Sequence, residues 1–474
     1  MGSAVVAVID IGKTNWKILL ATPDGETVDM VMRANAPPLV VPYLAIDIDS
    51  IETWVQETLA EFATRHRIAA LIATSHGCGA VLCDTTGPVL PLMDYEAHLP
   101  AKLEGLYARQ GPAYAEVCSG QNLGAMSLAK QLLYQSLYFP EQFAWARRYL
   151  TIAQYLAWRW GGRPASEISQ LAAQSHLWNY AAREPSGFLK SRGWDRLLPP
   201  FARAGEVLGT ISRSMERHTG LSPSTEVLCG VHDSNANLFR YKAAGMADHA
   251  VLSTGTWMIG FNRSDEPALD PTRAMVGNID VDGEPIASTL TMTGREYSII
   301  DARSGATDDE ALQVVGALLE RGILATPSFV DHDGCAPGSA QRGAVHGAPP
   351  KSPAERRALA SLYAALTADE CLNALQARAP VVIDGGFADN LGFARLLAGL
   401  RPNQPIFASR SRDGTALGAA LLWQRAQRSE PVRTVEVSAI KPFHHPGLAA
   451  AAKRWPTLWP RALSARAAQA IVAP

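Results

Sequence analysis

The sequence predicts an α/β protein built from two related domains, and three observations carry that reading. The chain has 474 residues, too many for one ordinary hydrophobic core, so length points to two or three domains. Residues 5–20 read VVAVIDIGKTNWKILL, an apolar run, a tight polar turn and a second apolar run. Residues 251–261 repeat that pattern as VLSTGTWMIGF. Both are β-hairpins by pattern, with Gly/Thr/Ser turns whose amides can wrap a phosphate. Only the first copy carries an acid, Asp10.

Each element follows from local pattern. Residues 4–10, 16–22 and 27–33 read as consecutive strands, with Pro23-Asp24-Gly25 turning between the second and third. Ile51, Trp54, Val55, Leu59 and Phe62 have helical spacing over Ser50–His66, with Ser50 as N-cap. Residues 69–75 form a buried strand that ends in the polar turn His76-Gly77. Ala80–Asp84 and Pro88–Met93 suggest a hairpin around Thr85-Thr86-Gly87, and 124–160 is mostly helical. Gly205–Gly220 is a short strand and turn ending in a helix. Glu226–Gly230 is a strand that delivers His232 and Asp233 to a helix beginning near Ser234. Ala243-Ala244-Gly245 ends that helix and sets the boundary between domains 1–244 and 245–474. In the second half, 353–378 is a long helix and 380–384 a buried strand. Gly385-Gly386 turns into a helix over 390–400, and 414–424 is a small-residue helix. After about 430 the tail is Pro- and Ala-rich, with Trp455 and Trp459 packing on the body.

Composition narrows the classes. Hydrophobic content of 47% and charged content of 19% are globular. A net charge of −2 gives no basic footprint, so no nucleic-acid partner is expected. The six cysteines form no CxxC pair and no zinc spacing, which reads as reduced thiols. No apolar run reaches about 18 residues and no cleavable leader is apparent, so no membrane partner and a cytoplasmic location are expected.

Several short segments can carry chemistry. In Asp10-Ile-Gly-Lys-Thr-Asn15, Gly12 permits the tight turn, while Thr14 and Asn15 offer donors. Asp10 at a strand end suits a Mg²⁺ bridging nucleotide phosphates, and Lys13 or Lys17 could offset phosphate charge. The plain alternative is a hairpin with a capping acid. The turn is not a Walker A loop. Ser253, Thr254, Gly255 and Thr256 offer hydroxyls and a glycine for phosphate, or an ordinary Ser/Thr turn. Asp233 at the mouth of a helix can accept a proton from a hydroxyl, or simply cap the helix. Gly385 and Gly386, with Asn390 beyond, let backbone approach a flat ring or a phosphate. The small residues of 413–420 favour close helix packing. Ser75, His76, Gly77, Asp94 and Gln154 are polar groups at or beside element ends, where a lone histidine is more often structural.

Taken in order over residues 4–425, these segments resemble the FGGY carbohydrate kinases. The likeness is carried by Asp10–Lys17, Ser75-His76-Gly77, Gly230–Asp233, Ser253–Trp257, Gly294-Arg295-Glu296, Asp384-Gly385-Gly386 and Thr415–Ala420. The resemblance implies two ribonuclease-H-like domains of the actin/hexokinase superfamily flanking a deep cleft. It implies ATP and Mg²⁺ as cofactors, with the second domain holding ATP and the first holding sugar. Asp233 would be the general base and Asp10 the metal residue. Gly12, Lys13, Thr14, Asn15 and the 253–256 turn would contact phosphates, and Gly385, Gly386 and Asn390 would lie along the adenosine. Ser75, His76, Gly77, Asp94, Gln154, His232 and Asp233 would face the sugar.

The family's aromatic-Arg-Asp stretch appears here as Met93-Asp94-Tyr95-Glu96, which leaves the sugar open. Ser-Thr-Gly-Thr-Trp and Gly-Val-His-Asp look more like the rhamnulose and fuculose kinases than the glycerol or xylulose kinases. The resulting expectation is an ATP-dependent kinase of a ketose, a 6-deoxyketose or a pentulose. A homodimer is a family-level expectation only. The competing class is a non-catalytic sugar or nucleotide sensor on the same fold, against which stand the two retained acids, Asp10 and Asp233. A chaperone or filament protein would need a peptide-binding domain or polymer interface, and neither is seen.

Overall fold

The computed structural model describes residues 4–23, 25–121, 124–263, 269–273, 275–411, 413–427 and 435–459. Asp24 of the expected first turn lies outside them. The chain forms two compact units. One comprises Met1–Met246, Gly277–Pro285 and Asp413–Thr434, and the other Ala247–Val276, Ile286–Arg412 and Val435–Pro474.

The first unit is organised by a seven-stranded sheet. Its order is Val207–Thr210, Glu226–Leu228, Ile68–Ser75, Val5–Ile11, Asn15–Ala21 and Thr27–Ala34, with Val231–His232 also pairing Ile68–Ser75. The first three strands in sequence run antiparallel. Val5–Ile11, Glu226–Leu228 and Val231–His232 all run parallel to Ile68–Ser75. Side chains alternate along each strand, and both faces are covered. Val5, Ala7, Ile9 and Ile11 join Ile51, Val55, Leu59 and Phe62 of helix Ile48–Ala63 in one core. Val6 and Val8 join Ala236, Ala416, Ala419 and Ala420 in another.

The second unit repeats the plan. Its sheet includes, in order, Met258–Asn262, Ala250–Thr254, Val381–Gly385, Ile406–Ser409 and Val437–Ala439. An antiparallel hairpin again sets its first strand parallel to a later one, here Val381–Gly385. Helix Pro353–Ala374 supplies much of the core. Trp455 joins that core and donates its indole N–H to Ala325 O at 2.6 Å, while Trp459 stacks edge-on at 5.1 Å.

Several expectations are corrected locally. The cap of the first helix is Asp47, whose carboxylate accepts from Ser50 N–H at 3.0 Å, so Ser50 is a donor inside the helix. Ala80–Cys83 meets the run at 88–93 only at its start, through the Cys83–Pro88 bridge and the Val89 N–H to Leu82 O bond at 2.8 Å, and takes Arg148–Thr151 as a further antiparallel partner. The Asp84 carboxylate still folds Thr85-Thr86-Gly87 into a turn by accepting from the Thr86 and Gly87 amides. Leu92–Met93 pairs instead with Ala45–Ile46.

Helix Gly414–Gln427 and the segment 277–285 group with the first compact unit. The reason for the helix is a backbone contact. A Cβ on Gly418 would lie 1.9 Å from Ala236 O, so the helix at 414–427 packs directly on helix Asp233–Ala243. Gly418→Val is therefore expected to destabilise the protein by at least ~3 kcal/mol through overpacking, measured by urea unfolding. A loss under about 0.5 kcal/mol would disprove the contact.

Candidate functional site

The parallel strands of the first unit bring distant residues to one edge. Asp10 stands beside Thr74, and Ile11 beside Ser75. Val231 and His232 stand beside the same two residues on Ile68–Ser75. Asp10 and Asp233 are thus delivered at the carboxyl ends of neighbouring parallel strands, the usual ligand-binding edge of such sheets. The turn after Asp10 is tied back by Asn35. Its amide donates to Gly12 O and Lys13 O, and its backbone N–H to Thr14 O at 3.0 Å. Thr14 and Asn15 are left exposed.

Asp10 is pushed up to about 7 by burial; Lys17 opposes the shift, and Asp233 and Asp413 reinforce it. Lys17 sits opposite Asp10 in the hairpin and donates to Asp413 at 2.7 Å. That pairing spans 396 positions, and no local signal in the sequence announces it.

Lys13 does not extend into open space. Its ammonium holds both carboxylate oxygens of Asp94 at 2.6 Å, lies 3.4 Å from Glu96 and stands 4.7 Å above the Tyr95 ring. The residue expected on phosphate is therefore joined to a residue expected on sugar. His76 meets the Tyr95 ring edge-on at 5.3 Å. Burial pushes His76 down to about 4, Asp233 opposing and Lys13 adding to it, so its ring is neutral at pH 7. Its Nδ1 is buried with no protein partner among the described residues. Gly77 is required where it stands, since a Cβ there would meet Ala173 Cβ at 2.9 Å and His232 Cδ2 at 3.2 Å.

Two expected sugar residues are instead internal fasteners. Gln154 is 1% exposed; its amide donates to Gly230 O at 3.0 Å and its oxygen accepts from Thr151. Ser75 is fully buried and accepts from Gln170 at 3.1 Å. The same Gln170 amide donates to Val231 O at 3.1 Å, joining two strand ends at the site edge. Sequence reasoning missed Gln170, Asn235 and Asn278, whose polar side chains acquire meaning only through long-range partners.

Asp233 begins helix Asp233–Ala243, and His232 is the N-cap. A carboxylate in the first turn is favoured by the helix dipole. Asp233 Oδ1 accepts from Ser234 N–H at 2.6 Å and Ser234 Oγ at 3.2 Å, and lies 3.3 Å from His232 Nε2. Among the described residues, these contacts of the side chain all reach Oδ1, and the side chain remains 31% exposed. His232 turns both ring nitrogens toward protein, with Nδ1 3.2 Å from Asn235 Nδ2. Burial lowers its pKa, with Asp233 opposing.

In the second unit the expected phosphate turn joins Ala250–Thr254 to Met258–Asn262. Thr254 is buried; its hydroxyl donates to Asp384 O and accepts from Phe387 N–H at 3.0 Å. Ser253 and Thr256 are partly exposed. Gly385 has φ +83°, and a Cβ there would lie 2.0 Å from Thr254 O. Gly294 is held as tightly, 1.8 Å from Gly255 O by the same measure. Gly255 and Gly386 differ, because open space lies where their Cβ atoms would be. Asn390 caps helix Leu391–Leu400 by accepting from Phe393 N–H at 2.8 Å. The chemistry of this unit suits a nucleotide: open backbone at two glycines, beside hydroxyl-bearing turns.

The first unit suits a hard cation. Asp10 is half-buried in the field of two further carboxylates, a charge arrangement that a divalent cation would relieve. Among the described residues no three His, Cys, Asp or Glu side chains converge as a protein-only metal cage. Mg²⁺ needs none, since it binds one or two carboxylates and completes its shell with water and phosphate.

The strand edge is supported from below by Glu167. It caps the short helix Ile168–Leu171 that carries Gln170, accepting from Ser169 N–H and Gln170 N–H, each at 3.0 Å. Burial pushes Glu167 up to about 7 against those hydrogen bonds. A raised carboxylate pKa favours the folded state below the unfolded pKa, and that advantage is lost as pH rises through the folded value. Relative to Glu167→Gln, the wild type should therefore lose ~3 kcal/mol between pH 4.5 and 7.5 in denaturant unfolding. Parallel stability profiles for the two proteins would contradict this.

Residues 246–431 match the family described as carbohydrate kinase FGGY, C-terminal domain. L-fuculokinase of Escherichia coli (strain K12) is 26% identical over 286 residues, covering 56% of this chain and 57% of that protein. The alignment thus spans little more than half the length of that relative. The structure of a carbohydrate kinase from Novosphingobium aromaticivorans superposes with a TM-score of 0.84 at 29% identity, covering 97% of this chain and 98% of that one. A ligand-bound xylulose kinase from Lactobacillus acidophilus has the same fold, with a TM-score of 0.81 at 18% identity and 99% coverage of both chains. The chain has the two-bodied α/β fold of these kinases and carries an FGGY carbohydrate kinase C-terminal domain over residues 246–431.

Proposed function

We propose that the protein transfers the γ-phosphoryl group of ATP to a terminal hydroxyl of a sugar, a ketose of the 6-deoxyketose or pentulose class. The observation that carries this reading is the state of Asp233. One oxygen of its carboxylate is saturated with contacts, the side chain is partly exposed, and it sits at the strand edge shared with Asp10. In this reading Asp233 Oδ2 takes the proton from the sugar hydroxyl. The freed oxygen forms a bond to the γ-phosphorus, the bond to the bridging oxygen breaks, and ADP leaves with that oxygen. Asp10 would hold a Mg²⁺, which would supply charge neutralisation for the phosphates. Lys17, fixed by Asp413, keeps positive charge beside Asp10.

Sugar recognition falls to His76 and Asp94. The buried Nδ1 of neutral His76 offers a hydrogen-bonding site. Asp94 is fixed by Lys13 and by Glu96 N–H at 2.9 Å. The turns at 12–15 and 253–256 supply phosphate contacts, and Gly385, Gly386 and Asn390 lie along the adenosine in this reading. The 26% identical relative, L-fuculokinase, supports a deoxyketose.

A coupled ADP-release assay against ketoses, aldoses and polyols tests the reading. Turnover is expected with one ketose, and Asp233→Asn should lower kcat by ~10³-fold or more while ATP binding and unfolding stay near wild type. A variant that keeps most of its kcat would remove Asp233 from the role of base. Measurable ATP binding without turnover on any sugar would revive the sensor reading. Asp94→Asn should raise KM for the sugar at least ~10-fold, with KM for ATP changed far less. Equal changes in both constants would contradict a sugar contact.

A further inference from the structure

A chain of contacts runs from one backbone amide to Asp233, and each link fixes the next. Ile279 N–H donates to Asn278 Oδ1 at 2.8 Å. An N–H cannot accept, so that atom of Asn278 is its oxygen. Asn235 meets this oxygen at 3.1 Å and must do so with Nδ2. The same Nδ2 lies 3.2 Å from His232 Nδ1. Nδ2 has only hydrogens to offer, so Nδ1 carries a lone pair there. A neutral imidazole has one ring proton, which is then on Nε2. Nε2 lies 3.3 Å from Asp233 Oδ1. Asn235, Asn278 and His232 are all buried within the first unit.

We propose that Asn278, Asn235 and His232 form a fixed relay that directs an N–H dipole at Asp233 Oδ1, making His232 a positioning residue for the base. The proposal rests on the reading of Asp233 as the base. With Oδ1 held by the Ser234 amide and hydroxyl and faced by His232 Nε2–H, Oδ2 is the oxygen left to take the proton. The opposite tautomer would set a lone pair against a carboxylate oxygen and turn the side chain away. The arrangement also accounts for an otherwise costly feature. Asn235 Oδ1 is buried with no protein partner among the described residues, a state that stability alone disfavours. The relay further separates His232 from sugar binding, because both ring nitrogens are already engaged.

The test uses the full chain labelled with ¹⁵N-histidine and long-range ¹H–¹⁵N correlation spectra. The His232 signals are assigned by their loss in His232→Gln. A protonated Nε2 and a bare Nδ1 are expected; a proton on Nδ1 in the wild type overturns the relay. Asn235→Asp keeps the shape but replaces the donor facing Nδ1 with an acceptor. It should move the proton to Nδ1 and lower kcat at least ~30-fold, with KM for ATP unchanged. An unchanged spectrum in that variant also overturns the proposal. His232→Leu should lose kcat to a similar degree, and His232→Gln, whose amide can extend an N–H toward the same place, should return to within ~5-fold of wild type. Equal losses in the Leu and Gln variants would reduce His232 to packing. If the wild type turns over no sugar, the kinase reading fails, while the tautomer and its reversal still decide the relay.

Discussion

The parallel pairing of Val5–Ile11 and Val231–His232 with the strand Ile68–Ser75 is the constraint on which the site depends. Backbone register places Asp10 beside Thr74 and His232 beside Ser75, and Asp233 follows as the first residue of its helix. No side-chain preference could assemble these residues from positions so far apart. The sheet can hold this register because both of its faces are covered, so a slip of one residue would exchange two apolar cores.

Around that edge, charge is managed by pairing rather than by exposure. Lys13 is committed to Asp94, and Lys17 to Asp413. Each lysine lies on the first hairpin, and each carboxylate comes from a distant segment of the same unit. Asp10 is left half-buried, with two further acids against one lysine in its field. That deficit is a property of the folded protein and matches the needs of Mg²⁺ and phosphate chemistry. Polar scaffolding below the edge, from Glu167 through Gln170 to Ser75 and Val231, keeps the strand ends together without entering the chemistry.

The two hairpins have diverged in what their turns do. In the first, Asn35 draws three turn carbonyls inward and leaves Thr14 and Asn15 exposed. In the second, Thr254 is spent on joining its strand to Asp384 and Phe387, so Gly255 and Gly386 provide the open backbone. Glycine pairs that look alike in sequence therefore split by role. Gly385 and Gly294 exist for close packing, and Gly255 and Gly386 border open space.

Much of this was legible in the linear sequence. Period-two apolar runs and their polar turns gave the paired hairpins, since strand alternation is local. The acids at strand and helix ends, Asp10 and Asp233, were visible for the same reason. Partners were not legible. The expected pairing of 80–84 with 88–93 is present only near its turn, and nothing local announced the second partner of Ala80–Cys83, Arg148–Thr151. Nor did the sequence show that Gly418 fits helix Gly414–Gln427 against Ala236. It did not show that the Gln154 amide bonds Gly230 O or that His232 Nδ1 faces Asn235. Local pattern determines which residues can form strands, turns and caps, because those preferences act over a few positions. Only the tertiary structure decides which donor meets which acceptor, because that choice rests on burial and on contacts across hundreds of residues.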